Sequence, residues 1–265
     1  MFIPGLDTHV ANCLMSELRP SELYFHPGFF TGMVQNRDTG SFILCTRYDV
    51  KPAFYNLSRD RIGHDYLHGP FVARLCISSI KNTSYVIEGH VYDMKTKKLL
   101  YRERSQAIVV NLTTRKPQPF DKTSEIYLTA KTFTERLKAD AFTWKNDDFI
   151  ANQSTRDDVA ERRRHYHRVT HDDIDVNGHM NISIYFKYAQ KMLHQPSYDV
   201  MQPTMTGRPM TFSALFAREA RLGDLLCFEA HNNANSLLVH VKRNRTILST
   251  IRFQRAASVS LPSFL

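Results

Sequence analysis

With 265 residues, 42 % hydrophobic and 23 % charged, the chain has an ordinary globular composition, long enough for one large core or two domains of about 130 residues. Its formal net charge of +9 points to an acidic partner, which nucleic acid, a phosphorylated cofactor or an acidic carrier protein would each satisfy. No apolar run approaches the ~18 to 20 residues of a membrane-spanning helix, and the start carries Asp7 and Glu17 with no arginine before Arg19; an intracellular protein of cytoplasm or mitochondrion is expected.

Several chemistries drop out early. Cys13, Cys45, Cys76 and Cys227 are scattered, with no C-x-x-C pair and no histidine at zinc-finger spacing, and read as reduced thiols. No G-x-G occurs, so neither a dinucleotide-binding turn nor a Walker loop can be built, and there is no G-x-S-x-G elbow. No cofactor is expected.

In chain order, the first distinctive stretch is GMVQNRDTGSFILCTRYDV from Gly32 to Val50. It can be laid against GHMNISIYFKYAQKML, with Gly32 on Gly178 and Met33 on His179, as a weak internal repeat. His64 and His68 follow at i, i+4 spacing, but flanking glycines and Pro70 favour a loop over a metal-binding helix, and no metal site is assigned. FVARLCISSI, SYVIEGHVYD and LLYRERSQAIVVNL, separated by KNTS and MKTKK, predict an antiparallel ladder. Residues 115–161 are polar and less regular; they read as a linker holding a helix around SEIYLTAKTFTERLKAD and anchored by Trp144.

HYHRVTH sets His165, His167 and His171 on one face of a strand, and with no carboxylate at orienting distance in the sequence they read as surface or cleft-rim groups. Ile182 to Leu193 places Ile182, Tyr185, Phe186, Ala189, Met192 and Leu193 at helical spacing, with Pro196 as a stop. PMTFSALFARE, LLCFEAH, SLLVHVKR and ILSTIRFQR then form a meander joined by RLGD, NNANS and NRT.

At the mouth of that helix stands HDDIDVNGHMN. Asp172, Asp173, Asp175, Asn177 and Asn181 all suit turns and N-caps, and Gly178 can supply a positive φ, so a merely capped loop is one reading. The other is chemical. A helix N-terminus offers free amides and partial positive charge beside Asp175 and His179, which suits polarising a carbonyl while an acid or imidazole handles water.

The stretch RVTHDDIDVNGHMNISIYFKY resembles the signature of hotdog-fold thioesterases, in which a D-x-D-x-x-G-H-x-N loop opens the central helix. The D-x-N-x-H set of Asp175, Asn177 and His179 is similar to the catalytic loop of plant-type acyl-ACP thioesterases, and the chain is also placed beside 4-hydroxybenzoyl-CoA thioesterase-like proteins. The resemblance implies an α+β tandem (double) hotdog, each unit an antiparallel sheet wrapped around a central helix. It divides the chain into a degenerate hotdog over 1–114, the linker over 115–161, and a competent hotdog over 162–265.

Where those enzymes carry a Glu-Cys pair, LFAREARLGD has Glu219 followed by Ala220, which excludes a thiol nucleophile there. Asp175, Asn177, His179 and Glu219 are therefore the expected catalytic set, with Asp175 ranked above Glu219. Gly178 and Asn181 would meet the substrate, and Arg162, Arg163 and Arg164 would meet the phosphates of CoA or the face of a carrier protein. The implied activity is release of a fatty acid from acyl-ACP or acyl-CoA, by a chain that could pair as a homodimer of double hotdogs. An inactive acyl-binding scaffold subunit and a hotdog hydratase or dehydratase stand as alternatives, and nucleic acid ranks last among partners, since no aromatic motif interleaves the basic residues.

Overall fold

The computed structural model describes residues 39–51, 71–137, 163–175, 178–193, 210–233 and 236–255. The strands are β1 (Thr39–Val50), β2 (Phe71–Ile80), β3 (Ser84–Asp93), β4 (Leu99–Asn111), β5 (Arg163–Arg168), β6 (Met210–Phe216), β7 (Leu225–Asn233), β8 (Ser236–Arg243) and β9 (Thr246–Arg255). The helices are α1 (Glu125–Leu137) and α2 (Ile182–Leu193). The strands make one antiparallel sheet in the order β2-β3-β4-β1-β6-β9-β8-β7-β5.

The two halves meet where β1 pairs with β6, from Cys45 opposite Leu215 to Val50 opposite Met210. Alternation decides which side chains turn inward: Thr46, Tyr48 and Val50 are buried while Arg47 and Asp49 are only partly covered. On the inner face Tyr48, Tyr101, Phe212, Phe228, Val239, Ile251 and Phe253 close around Tyr185, Phe186, Ala189 and Met192 of α2. Phe186, Ala189 and Met192 are fully buried, so α2 serves as the axle of the sheet rather than a surface helix.

A second cluster lies on the first-half strands. Phe120, Tyr127 and Ala130 pack with Tyr85, Ala107 and Val109. The helix expected around residues 124–140 is present as α1, capped by the Ser124 hydroxyl, which accepts the Tyr127 amide at 3.2 Å. It packs against the first-half sheet near β2, and Phe120, in the stretch read as linker, is buried in that cluster.

The proposed internal repeat fails at one point. Thr39–Val50 would have matched α2, yet it is a strand hydrogen-bonded on both edges, to β4 and to β6. Gly32, Met33 and Gln35, His64 and His68, Trp144 and Pro196 lie outside the described residues. The predicted ladder and meander strands are all found, and Ile182–Leu193 is helical as expected. Among the described residues, no helix is long and apolar enough to cross a membrane.

Candidate functional site

The loop before α2 is held from below by Asp173. Its carboxylate accepts the Thr170 amide at 2.8 Å, the Thr170 hydroxyl at 3.0 Å and His167 Nε2 at 2.7 Å. Burial pushes this carboxyl up, but the Thr170 and His167 hydrogen bonds outweigh it and hold the group below its usual range. His167 also stacks on Tyr188, with ring centroids 3.9 Å apart. The expectation of a rim group without a carboxylate is therefore corrected for His167, which the short turn at His171–Asp173 brings to Asp173, while the rings of His165 and His167 both lean on Tyr188 of α2.

From that base the chain turns through a tight loop. The Gly178 amide donates to the Asp175 carbonyl at 3.0 Å, the Asp175 amide to the His179 carbonyl at 2.8 Å, and the Asn181 amide to the Asp173 carbonyl at 2.8 Å. Gly178 sits at φ 76°, a conformation that side chains resist, so glycine lets the loop close. Asp175 Oδ1 lies 3.3 Å from the His179 amide. Asn181 Oδ1 accepts the Ser183 amide at 2.9 Å, making Asn181 the N-cap of α2. Asn177 lies outside the described residues.

His179 is buried, and its Nε2 is 2.9 Å from Glu219 Oε2. Glu219 comes from the segment after β6, whose neighbour Ala220 is fully buried and tied twice: its carbonyl accepts the Met180 amide at 2.9 Å and its amide donates to the Tyr185 hydroxyl at 3.2 Å. Burial raises the Tyr185 hydroxyl far above its ordinary value, so it stays protonated. Ala220 is thus a wedge holding the loop, α2 and the segment that carries Glu219 in register.

Glu219 has further neighbours that sequence reasoning missed. Arg115 Nη1 and Arg221 Nη2 each lie 3.6 Å from its carboxylate. Arg115 projects from the turn after β4 with φ 56°, and its guanidinium lies over the Phe42 ring, which in turn sits 5.2 Å from the His179 ring. An open cleft of about 400 Å³ beside Glu219 is lined by Arg115, Ala217, Arg218, Arg221 and Arg243.

The expected phosphate-binding run lies elsewhere. Arg163 and Arg164 are on β5, and Arg164 faces the Glu229 carboxylate at 3.1 Å, which Lys242 Nζ also meets at 2.9 Å; Arg162 lies outside the described residues. Cys227 is on β7, on the opposite face of the sheet from the inward Leu226 and Phe228.

No protein-family model and no curated protein matches the sequence. Solved structures do. An acyl-ACP thioesterase from Bacteroides thetaiotaomicron superposes with a TM-score of 0.64 at 17 % identity, over 97 % of this chain and 92 % of that one. The 12:0-ACP thioesterase from Umbellularia californica gives 0.61 at 16 % identity, over 92 % and 88 %. At these identities the likeness is one of architecture, and the chain shares the hotdog fold of these thioesterases.

Proposed function

We propose that the chain hydrolyses an acyl thioester, at one site per chain in the second half of a double hotdog, with a CoA or carrier-protein thiol as leaving group. The observation that carries this is the His179–Glu219 pair, 2.9 Å apart at the amino end of α2. With Nε2–H donated to Glu219, His179 presents the lone pair of Nδ1, the nitrogen able to take a proton from water. Water adds to the thioester carbonyl as His179 takes its proton. Collapse of the adduct breaks the C–S bond, and the same proton passes to the departing thiolate.

Glu219, a half-buried acid, orients the imidazole and stabilises its cationic form, the part an acid takes beside a catalytic histidine. Its carboxylate is already spread across two guanidiniums, which suits that supporting part better than attack on the substrate. Asp175 holds the His179 amide and carries the loop geometry, and Gly178 closes the same turn. The positive end of α2, with Arg115 near Glu219, supplies the potential at which an oxyanion develops. Ala220 leaves no thiol nucleophile at that position, and hydrolysis through water is consistent with it.

A panel of acyl-CoA and acyl-carrier thioesters tests this directly by thiol release. Wild-type turnover with loss of at least about a hundredfold in kcat for both His179→Ala and Glu219→Gln is expected, the scale of a removed acid–base group. Turnover unchanged in either folded variant would exclude the dyad. A scaffold subunit would bind thioesters or partners without releasing thiol.

A further inference from the structure

The cleft beside Glu219 is unlike the surroundings of a fatty-acyl chain. Arg115, Arg218, Arg221 and Arg243 line it, and among the described residues Ala217 is its only apolar member. Three of the four guanidiniums have carboxylate partners close by: Arg243 Nη1 lies 2.6 Å from Asp224 Oδ2, and Arg115 and Arg221 share Glu219 at 3.6 Å each. Among the described residues no carboxylate lies within ion-pair reach of the Arg218 guanidinium, whose residue is exposed at the cleft wall. Four guanidiniums thus stand against the two carboxylates of Glu219 and Asp224, and the surplus positive charge borders open space.

Resting on the thioesterase reading, we infer that this cleft takes a carboxylate carried by the acyl group, so that the preferred substrates are short acyl thioesters ending in their own carboxylate. Distance favours the acyl side. Arg221 and Arg115 reach within 3.6 Å of the Glu219 carboxylate, which itself meets His179 at 2.9 Å, so an anion among these arginines would sit one carboxylate away from the imidazole assigned to the reaction. The phosphate of a pantetheine arm is roughly 15 Å from its sulfur when extended, at the per-bond reach of an extended backbone. A carboxylate a few carbons along a short acyl group has the right length, and a guanidinium fork matches its shape. The arginines that position Glu219 would then also read the substrate's far end.

N-acetylcysteamine thioesters separate the two possible sources of the anion, because that thiol carries no phosphate. Glutaryl and valeryl thioesters of equal chain length are compared on the full chain at low and high salt. The glutaryl ester should be favoured in kcat/KM by at least about tenfold at low salt, with the preference shrinking as salt screens the exposed arginines. Arg218→Gln should reduce that ratio by about tenfold, chiefly through KM, and Arg221→Gln should lower it too. Equal or better use of the valeryl ester would overturn the inference while leaving hydrolysis intact. A preference seen only for CoA over N-acetylcysteamine esters, and lost in Arg218→Gln, would also overturn it by assigning the cleft to the leaving group. If no thioester is hydrolysed the activity itself is wrong, and calorimetry with monomethyl glutarate, which keeps one carboxylate, and methyl valerate, which has none, still decides. Monomethyl glutarate binding lost in Arg218→Gln supports the carboxylate site, whereas equal weak binding of both esters overturns it.

Discussion

Two acids compete for the central chemical role, and residue geometry separates them. Asp175 Oδ1 lies 3.3 Å from a backbone amide, whereas Glu219 meets the imidazole of His179 at 2.9 Å. Asparagine keeps an oxygen at the Oδ1 position, so Asp175→Asn should cost less than about tenfold in kcat while Glu219→Gln costs at least about a hundredfold; the reverse order in a thiol-release assay would return Asp175 to the centre. A separate residue governs stability against acid. Burial, then His231 and Lys242, push His240 down to about 4, from an ordinary value of 6.5. The unfolded chain therefore binds this proton at a higher pH than the folded one, so the contribution is complete above about 6.5 and is lost as pH falls toward 4. Thermal melts should show a falling Tm across that window, and His240→Gln should flatten the fall. His179 and Glu219 were legible as types in a loop and a strand, since D-x-N-x-H and the following meander lie close together in sequence. Arg115 was not, because it reaches Glu219 from the other half of the chain and no spacing connects them; Asp173 and His167 are near neighbours in sequence, but only the turn at His171–Asp173 brings carboxylate to ring.

At the scale of elements, the site depends on how α2 begins. Asn181 caps it through the Ser183 amide, and Gly178 closes the preceding turn at positive φ. Asn181→Ala should destabilise the protein by about 1 kcal/mol, the usual cost of a lost N-cap. Gly178→Ala meets no steric obstacle within 4 Å, so its cost is backbone strain of about 1 kcal/mol, read in denaturant melts. Both should also lower kcat by loosening His179, and a variant that loses stability with unchanged kcat would disconnect the cap from catalysis. Helical periodicity made α2 visible, and alternation with polar turns made the strands visible. The error at 39–50 came from matching Gly32 to Gly178 and extending the match forward. The inward Thr46, Tyr48 and Val50 against Arg47 and Asp49 carry the period of two that marks a strand, but the pairing with both β4 and β6 that demands it is a long-range property. The small polar stretch before α1 was read as linker for the same reason: Phe120 becomes a core residue only once Tyr85 and Tyr127 are brought to it, with ring centroids 6.3 and 5.9 Å away.

Across the whole molecule the second half carries the pair His179 and Glu219, yet it is not complete alone. Phe42, beside His179, and Arg115, beside Glu219, come from the first half, and β1 covers the edge of β6. An uncovered β6 would present unpaired N–H and C=O groups from Met210 to Leu215, a template for pairing with another copy. It would also uncover part of the aromatic core, since Tyr48 of β1 packs edge-on against Phe186 of α2 with centroids 5.6 Å apart. Residues 162–265 produced by themselves should therefore self-associate and show no thiol release. Co-expression with residues 1–161 should recover a one-to-one complex with activity, because the seam is non-covalent and its register is set by inward and outward alternation. Size-exclusion chromatography with light scattering reads the first outcome and the thioester assay the second. A monomeric, fully active 162–265 fragment would show that neither Arg115 nor the β1 seam contributes to the site, and would remove the first half from the mechanism.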